Sequence, residues 1–363
     1  MQEMRTIRQA KEIVRQWVMK EAARQPGFRG ALLHGSVNWL AEEVVLPETS
    51  DVDVLVVLDG PAPPEMAGKL RYRGVIIDAS YLPAEQIQSP EQALGMAYLA
   101  GSLRSDSSII ADPSGRLRAV QAGVARDYAK REWVARRCEF AANRARRNLQ
   151  SLDPAAPFHD QAIAWLFGAG VTTHILLAAG LKNPTVRKRY LDARELLAEY
   201  GWADFYETLL EMLGCARMGR ARAEQHLATL AAAFDAARAV LRSPFSFAAD
   251  ISEIARPVAI DGSRELIERG DHREAAFWMA VTYSRCQKLL ARDELAARDG
   301  LAARDGPAGL FARHDPGYHA LMADLGICNS ADLQERSRQA LAMLPRVWEV
   351  AEAIMAANPE ITG

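Results

Sequence analysis

Cysteine is scarce: four residues in the 363 of the chain, Cys138, Cys215, Cys286 and Cys328. They lie too far apart to form a C-x-x-C pair, which excludes a zinc ribbon or a redox dithiol. Reduced, mostly buried thiols and a cytoplasmic location are expected. The first residues lack the apolar core of a signal peptide. Met1 to Val18 reads instead as an amphipathic helix with Ile7, Ala10, Val14 and Trp17 on one face. A long unbroken apolar run is also missing. The longest, Ala162 to Gly180, contains Gly168, Gly170, Thr172, Thr173 and His174, so it is expected to be a buried helix and no membrane partner is expected. There is no excess of positive charge: 44 Lys and Arg stand against 46 Asp and Glu, for a net charge of −2. That excludes a surface built as a whole for nucleic acid and makes a nucleic-acid partner unexpected, while leaving a local basic groove open.

What remains is an ordinary globular composition, 49% hydrophobic and 25% charged. At roughly 100–200 residues per domain, the length calls for at least two domains. Strand-like pieces at Ala31 to His34, Val52 to Leu58 and Gly74 to Tyr81 are separated by Pro- and Gly-bearing connections. Beyond Pro90 helical periodicity takes over. The fold class read from this pattern is an α/β N-terminal domain, a small mixed sheet with helices over residues 1–118. An all-α part follows over 119–363, with a possible subdivision near 242–250. Helices are predicted from about Ala119 to Gln150, near Ala162, after Pro184, after Trp202 and from about Arg217 to Leu241. Asp153 to Pro157 is turn-rich, and Arg242-Ser-Pro244 is another break. Leu290 to Gly306 repeats LARDE, LAARDG and LAARDG, too short a unit for a solenoid and read as a surface helix running into a loop.

The informative segment is Leu32-Leu-His-Gly35-Ser36, followed after fourteen residues by Asp51-Val-Asp53-Val-Leu-Val-Val-Leu58. Residues two apart on a strand share a face, so Asp51 and Asp53 project together while Val52 and Val54 enter the core. Adjacent carboxylates repel unless a cation lies between them, and oxygen-only ligation suits Mg²⁺. Gly35 allows close approach of backbone to a phosphate, and Ser36 offers a hydroxyl and a cap for a helix predicted from Val37 to Glu43. Free N–H groups at such a helix start can hold a triphosphate. Asp78, in the apolar run Val75-Ile-Ile-Asp78-Ala, is placed as a third metal ligand on a neighbouring strand.

These residues, HGS at 34–36, SDVDV at 50–54 and IIDAS at 76–80, resemble the pattern of the DNA polymerase β-like nucleotidyltransferase superfamily. With a small catalytic domain ahead of helices, the arrangement looks most like stand-alone bacterial enzymes of the aminoglycoside adenylyltransferase type. The resemblance covers only about Ala31 to Leu82. It implies that Asp51, Asp53 and Asp78 are the catalytic and metal-binding residues, that two Mg²⁺ ions and ATP or another NTP serve as cofactor and co-substrate, and that Gly35 and Ser36 hold the β- and γ-phosphates. It further implies an acceptor hydroxyl attacking the α-phosphorus with loss of pyrophosphate. A small hydroxylated molecule such as an aminoglycoside is the leading acceptor. A protein or RNA acceptor and a non-catalytic nucleotide-binding protein are the alternatives. The sequence departs from the pattern in a slightly longer spacer before Asp51 and in Val37-Asn-Trp-Leu40, where an Arg or Gly often follows the Gly-Ser pair.

The remaining polar motifs read more simply. Glu85, Glu91, Asp106 and Asp112 are open candidates for a general base, although Asp112-Pro-Ser-Gly115 has turn chemistry that accounts for its Asp. The basic stretch from Arg104 to Arg147 is read as a solvated helix face. Asp160, in His159-Asp160, is read as a cap of the apolar helix, and His174 as a core histidine with a hydrogen-bond partner.

Overall fold

The computed structural model describes residues 5–60, 68–183, 185–241, 247–298 and 309–363. The break at Arg242-Ser-Pro244, Pro184 and residues 299–306 of the LAARDG repeat lie outside them.

The amphipathic amino-terminal pattern forms helix α1 (Ile7–Lys20), opened by a capping box in which Thr6 and Gln9 exchange side-chain and backbone hydrogen bonds. Ile7, Ala10, Val14 and Trp17 are buried. The strands that follow are β1 (Phe28–His34), β2 (Val52–Leu58), β3 (Gly68–Tyr72) and β4 (Val75–Pro83), with the short β5 at Ile109–Ala111. Their spatial order is β3-β4-β2-β1-β5, a five-stranded sheet. The β2–β4 pair is parallel and the other pairs are antiparallel. One face of the sheet, carrying Ala31, Leu33, Val52, Val54, Val56, Leu58, Val75, Ile77 and Ala79, packs with the apolar stripe of α1 in one core. Each large aliphatic side chain removed from water there contributes about 1.5–3 kcal/mol. Strict alternation on β2 therefore commits Asp53 to the opposite face.

Two strands depart from the sequence reading. β3, with the sequence GKLRY, is an edge strand with no fully buried residue. Its lysine and arginine suit an edge but give no hydrophobic alternation to find. β5 comprises three residues beyond Pro90, too short for any periodicity to register.

Helices α2 (Pro90–Leu94), α3 (Ala97–Leu103), α4 (Arg116–Asp127) and α5 (Arg131–Gln150) continue the chain. The single helix predicted over 119–150 is thus two. The corner between them is fixed by the chain terminus: Arg131 N donates to Thr362 O at 2.9 Å and Thr362 N to Ala129 O at 3.0 Å. Next come α6 (Phe158–Ala179), α7 (Arg189–Glu199), α8 (Ala203–Leu213), α9 (Arg220–Val240), α10 (Gly262–Glu268), α11 (His272–Arg298), α12 (Leu310–Asp324) and α13 (Ser330–Ala357). A small mixed sheet followed by a mostly helical remainder is the fold class read from the sequence.

Two compact units emerge, Met1–Ala141 with Ile175–Thr185 and Ala351–Gly363 in one, and Ala142–His174 with Val186–Val350 in the other. The sequence reading ended the first domain at residue 118. In the structure α4 packs on α2 and α3, which keeps it with the sheet unit. In the helical unit Gly168 admits the Leu149 side chain and Gly170 admits Phe277, each at a distance no Cβ would allow. α6 is long and apolar enough to cross a membrane, but 83% of its apolar window is buried inside the protein, as in a core helix. Cys138, Cys215 and Cys286 are buried and Cys328 is exposed, all as free thiols.

Candidate metal centre

The strand register assembles a row of polar side chains across four strands. Lys69 on β3 pairs with Asp78 on β4, Asp78 with Asp53 on β2, and Asp53 with His34 on β1. Directly paired residues share a face of the sheet, so the row lies opposite the α1 core, with Asp51 just ahead of β2. Asp51, Asp53 and Asp78 each offer a carboxylate oxygen within 4.8 Å of the others.

Three carboxylates this close need positive charge. Burial, with Asp51 and Asp78 nearby, pushes the Asp53 carboxyl well above its ordinary range, and Lys69 partly offsets this. Lys69 Nζ donates to Asp51 Oδ2 at 2.5 Å and also to Asp78 Oδ2. Its side chain is 8% exposed, against 20% for Asp51 and 25% for Asp78. Sequence reading passed over Lys69, because nothing in GKLRY sets this lysine apart from an ordinary edge-strand charge.

At the other end of the row His34 Nδ1 lies 2.6 Å from Ser102 Oγ on α3. Burial lowers the His34 imidazole to about 4, so it is neutral near pH 7. Neither His34 nor Ser102 was singled out from the sequence as a site residue.

Gly35 has φ +69° and ψ −158°, a conformation essentially reserved for glycine. A Cβ there would fall 2.0 Å from Asp53 Oδ2. The helix predicted from Val37 to Glu43 does not form. Ser36–Asn38 is a single 3₁₀ turn with no side-chain cap, so Ser36 caps no helix and is exposed. The chain beyond is held by the start of α1 instead: Ile7 N donates to Val44 O, Arg8 N to Glu42 O, and Leu46 N to Arg5 O, at 2.8–3.0 Å. The array of free N–H groups expected from a helix start is therefore not built here.

Four further acids stand as candidates for a general base. Asp112 accepts from Arg118 N at 2.9 Å, the local role its turn chemistry implied, and Glu85, Glu91 and Asp106 are exposed. In the basic stretch Arg136 and Arg146 are exposed, as a solvated face requires. Arg137 is the exception: it is buried, donates to Leu94 O and Tyr128 O, and stacks on the Tyr128 ring. Asp160 is not a cap; it sits in the first turn of α6 and pairs with Lys288 at 2.7 Å.

The donor set fits a hard divalent cation. All three ligand groups are carboxylates, which suit Mg²⁺ or Mn²⁺ over softer metals, and their charge already draws a lysine into the cluster. No protein-family model matches the sequence, and no curated protein matches it.

Proposed function

We propose that the chain is a Mg²⁺-dependent nucleotidyltransferase that moves a nucleoside monophosphate, AMP from ATP in the leading case, onto a hydroxyl of a small molecule such as an aminoglycoside, in the cytoplasm. The observation that carries this reading is the gathering of Asp53 and Asp78 from two adjacent parallel strands, with Asp51 just ahead of the first, into one oxygen-donor cluster, against which the Gly35 turn is closed. Asp51, Asp53 and Asp78 would hold the metal, which when bound supplies neutralising charge to the phosphates and to the attacking hydroxyl. Gly35 lets the turn approach the Asp53 carboxylate more closely than any residue with a Cβ could. His34, neutral and tied to Ser102, fills the end of the row without adding charge. With its helix unformed, the Ser36 turn contributes a hydroxyl and at most a few backbone N–H groups to phosphate binding.

Lys69 favours a second reading, a nucleotide-binding protein that does not turn over, because an ammonium bridging Asp51 and Asp78 can stand in for a cation. Pyrophosphate release from each of the four NTPs with Mg²⁺, across a panel of aminoglycosides and other hydroxylated small molecules, separates the two. Acceptor-dependent release supports transfer; bound ATP without release supports the second reading.

A further inference from the structure

Lys69 is the feature of the cluster that the nucleotidyltransferase reading does not use. Its side chain is 8% exposed, with Nζ 2.5 Å from Asp51 Oδ2 and hydrogen-bonded to Asp78 Oδ2, and the edge strand β3 delivers it in register with Asp78. Those are two of the three carboxylates expected to hold the metal. Asp51 and Asp78 would hold a Mg²⁺ through the same carboxylates that the ammonium now occupies. An ammonium and a divalent ion cannot both be seated between one pair of oxygens, and two cations that close repel strongly in a half-buried site.

We infer that Lys69 is a built-in competitor for the metal: its ammonium is the resident cation of the metal-free site, and loading the site exchanges that ammonium for a divalent ion. This rests on the metal-centre reading and adds to it a residue that sets metal affinity. The exchange has two consequences. The metal-free protein keeps its three carboxylates together without paying the full repulsion among them. Metal affinity is lower than three clustered carboxylates would otherwise give, so the site fills only when free divalent cation, or cation carried in with a polyphosphate, is abundant.

The test is Mn²⁺ binding, followed by the loss of the free-ion electron paramagnetic resonance signal at fixed pH, for the full chain, Lys69→Met and Lys69→Arg. Without the ammonium, Lys69→Met is expected to bind Mn²⁺ about tenfold tighter or more, while Lys69→Arg, which keeps the charge, gains nothing. Lys69→Met is also expected to melt at a lower temperature than the native protein when metal-free and to recover on adding Mn²⁺. Should Lys69→Met fail to fold, Lys69→Gln carries the same comparison. Equal or weaker Mn²⁺ binding by the neutral variant, with clear binding by the native chain, overturns the competitor role and leaves the metal centre standing. Absence of Mn²⁺ binding in both the native protein and the neutral variant overturns the metal centre itself, and the inference with it.

Discussion

Gly35 and Asp53 occupy complementary space: a Cβ added to Gly35 would fall 2.0 Å from Asp53 Oδ2 and 3.0 Å from its Cγ. The glycine is required twice over, by that contact and by its positive φ. Gly35→Ala is expected to lower stability by roughly 1–3 kcal/mol from backbone strain alone, and to displace the Asp53 carboxylate. Chemical denaturation measures the first effect and Mn²⁺ titration the second. A variant with native stability and native metal binding would show that the turn does not set the position of Asp53.

Asp53 makes the metal-free site costly. Its folded-state carboxyl binds a proton more tightly than in the unfolded chain, through burial and the charges of Asp51 and Asp78. Between the ordinary carboxylate value, about 4, and the raised one, the folded state holds the extra proton, and stability falls as pH rises through that window. Asp53→Asn imitates the protonated form at every pH. Without divalent cations near pH 7.5 it is expected to melt about 2–4 °C above the native protein, the shift of ~1 kcal/mol in a unit of this size. Added Mg²⁺ should raise the native melting temperature and leave the variant's unchanged. A variant that melts lower without metal would count against a strained carboxylate.

His34 gives the opposite pH dependence. Burial holds the folded imidazole neutral down to about 4, whereas the unfolded chain takes up a proton near its ordinary value of about 6.5. Stability from this group is therefore lost as pH falls from about 6.5 towards 4, on the order of 1–3 kcal/mol after discounting for the partial exposure of the residue. Native and His34→Gln proteins, unfolded in urea at pH 7.5 and pH 5, should differ by this amount in their pH sensitivity. Parallel profiles would place the imidazole in a solvated setting.

The arginines of α5 divide by burial. Arg137→Ala strips two backbone carbonyls, Leu94 O and Tyr128 O, of their donor, and should cost about 2–4 kcal/mol in urea unfolding. Arg136→Ala and Arg146→Ala, both at exposed positions, should stay within about 0.5 kcal/mol of native. A nucleic-acid role would appear instead as salt-dependent RNA binding weakened by the exposed substitutions.

How far the sequence reached depended on where each partner lay. β1, β2 and β4 were legible because their apolar alternation faces a core, and Asp51, Asp53 and Asp78 followed because strand geometry fixes the face of each acid. β3 was hidden by its edge position, and Lys69 with it. The corner between α4 and α5 depends on Thr362, more than two hundred residues away, and no local pattern could signal it. The helix expected after Ser36 had acceptable local propensity. It lost to tertiary hydrogen bonds with Arg5, Ile7 and Arg8 at the start of α1, a competition that propensity does not express.

The most direct test of nucleotidyl transfer is movement of label from [α-³²P]ATP with Mg²⁺ to an acceptor selected by pyrophosphate release, comparing native protein with Asp53→Asn. Label is expected on the acceptor with the native protein, with a loss of at least about 100-fold for Asp53→Asn, as for removal of a metal-holding carboxylate. Equal transfer by the two proteins would contradict the proposed function, as would ATP binding with no transfer to any acceptor.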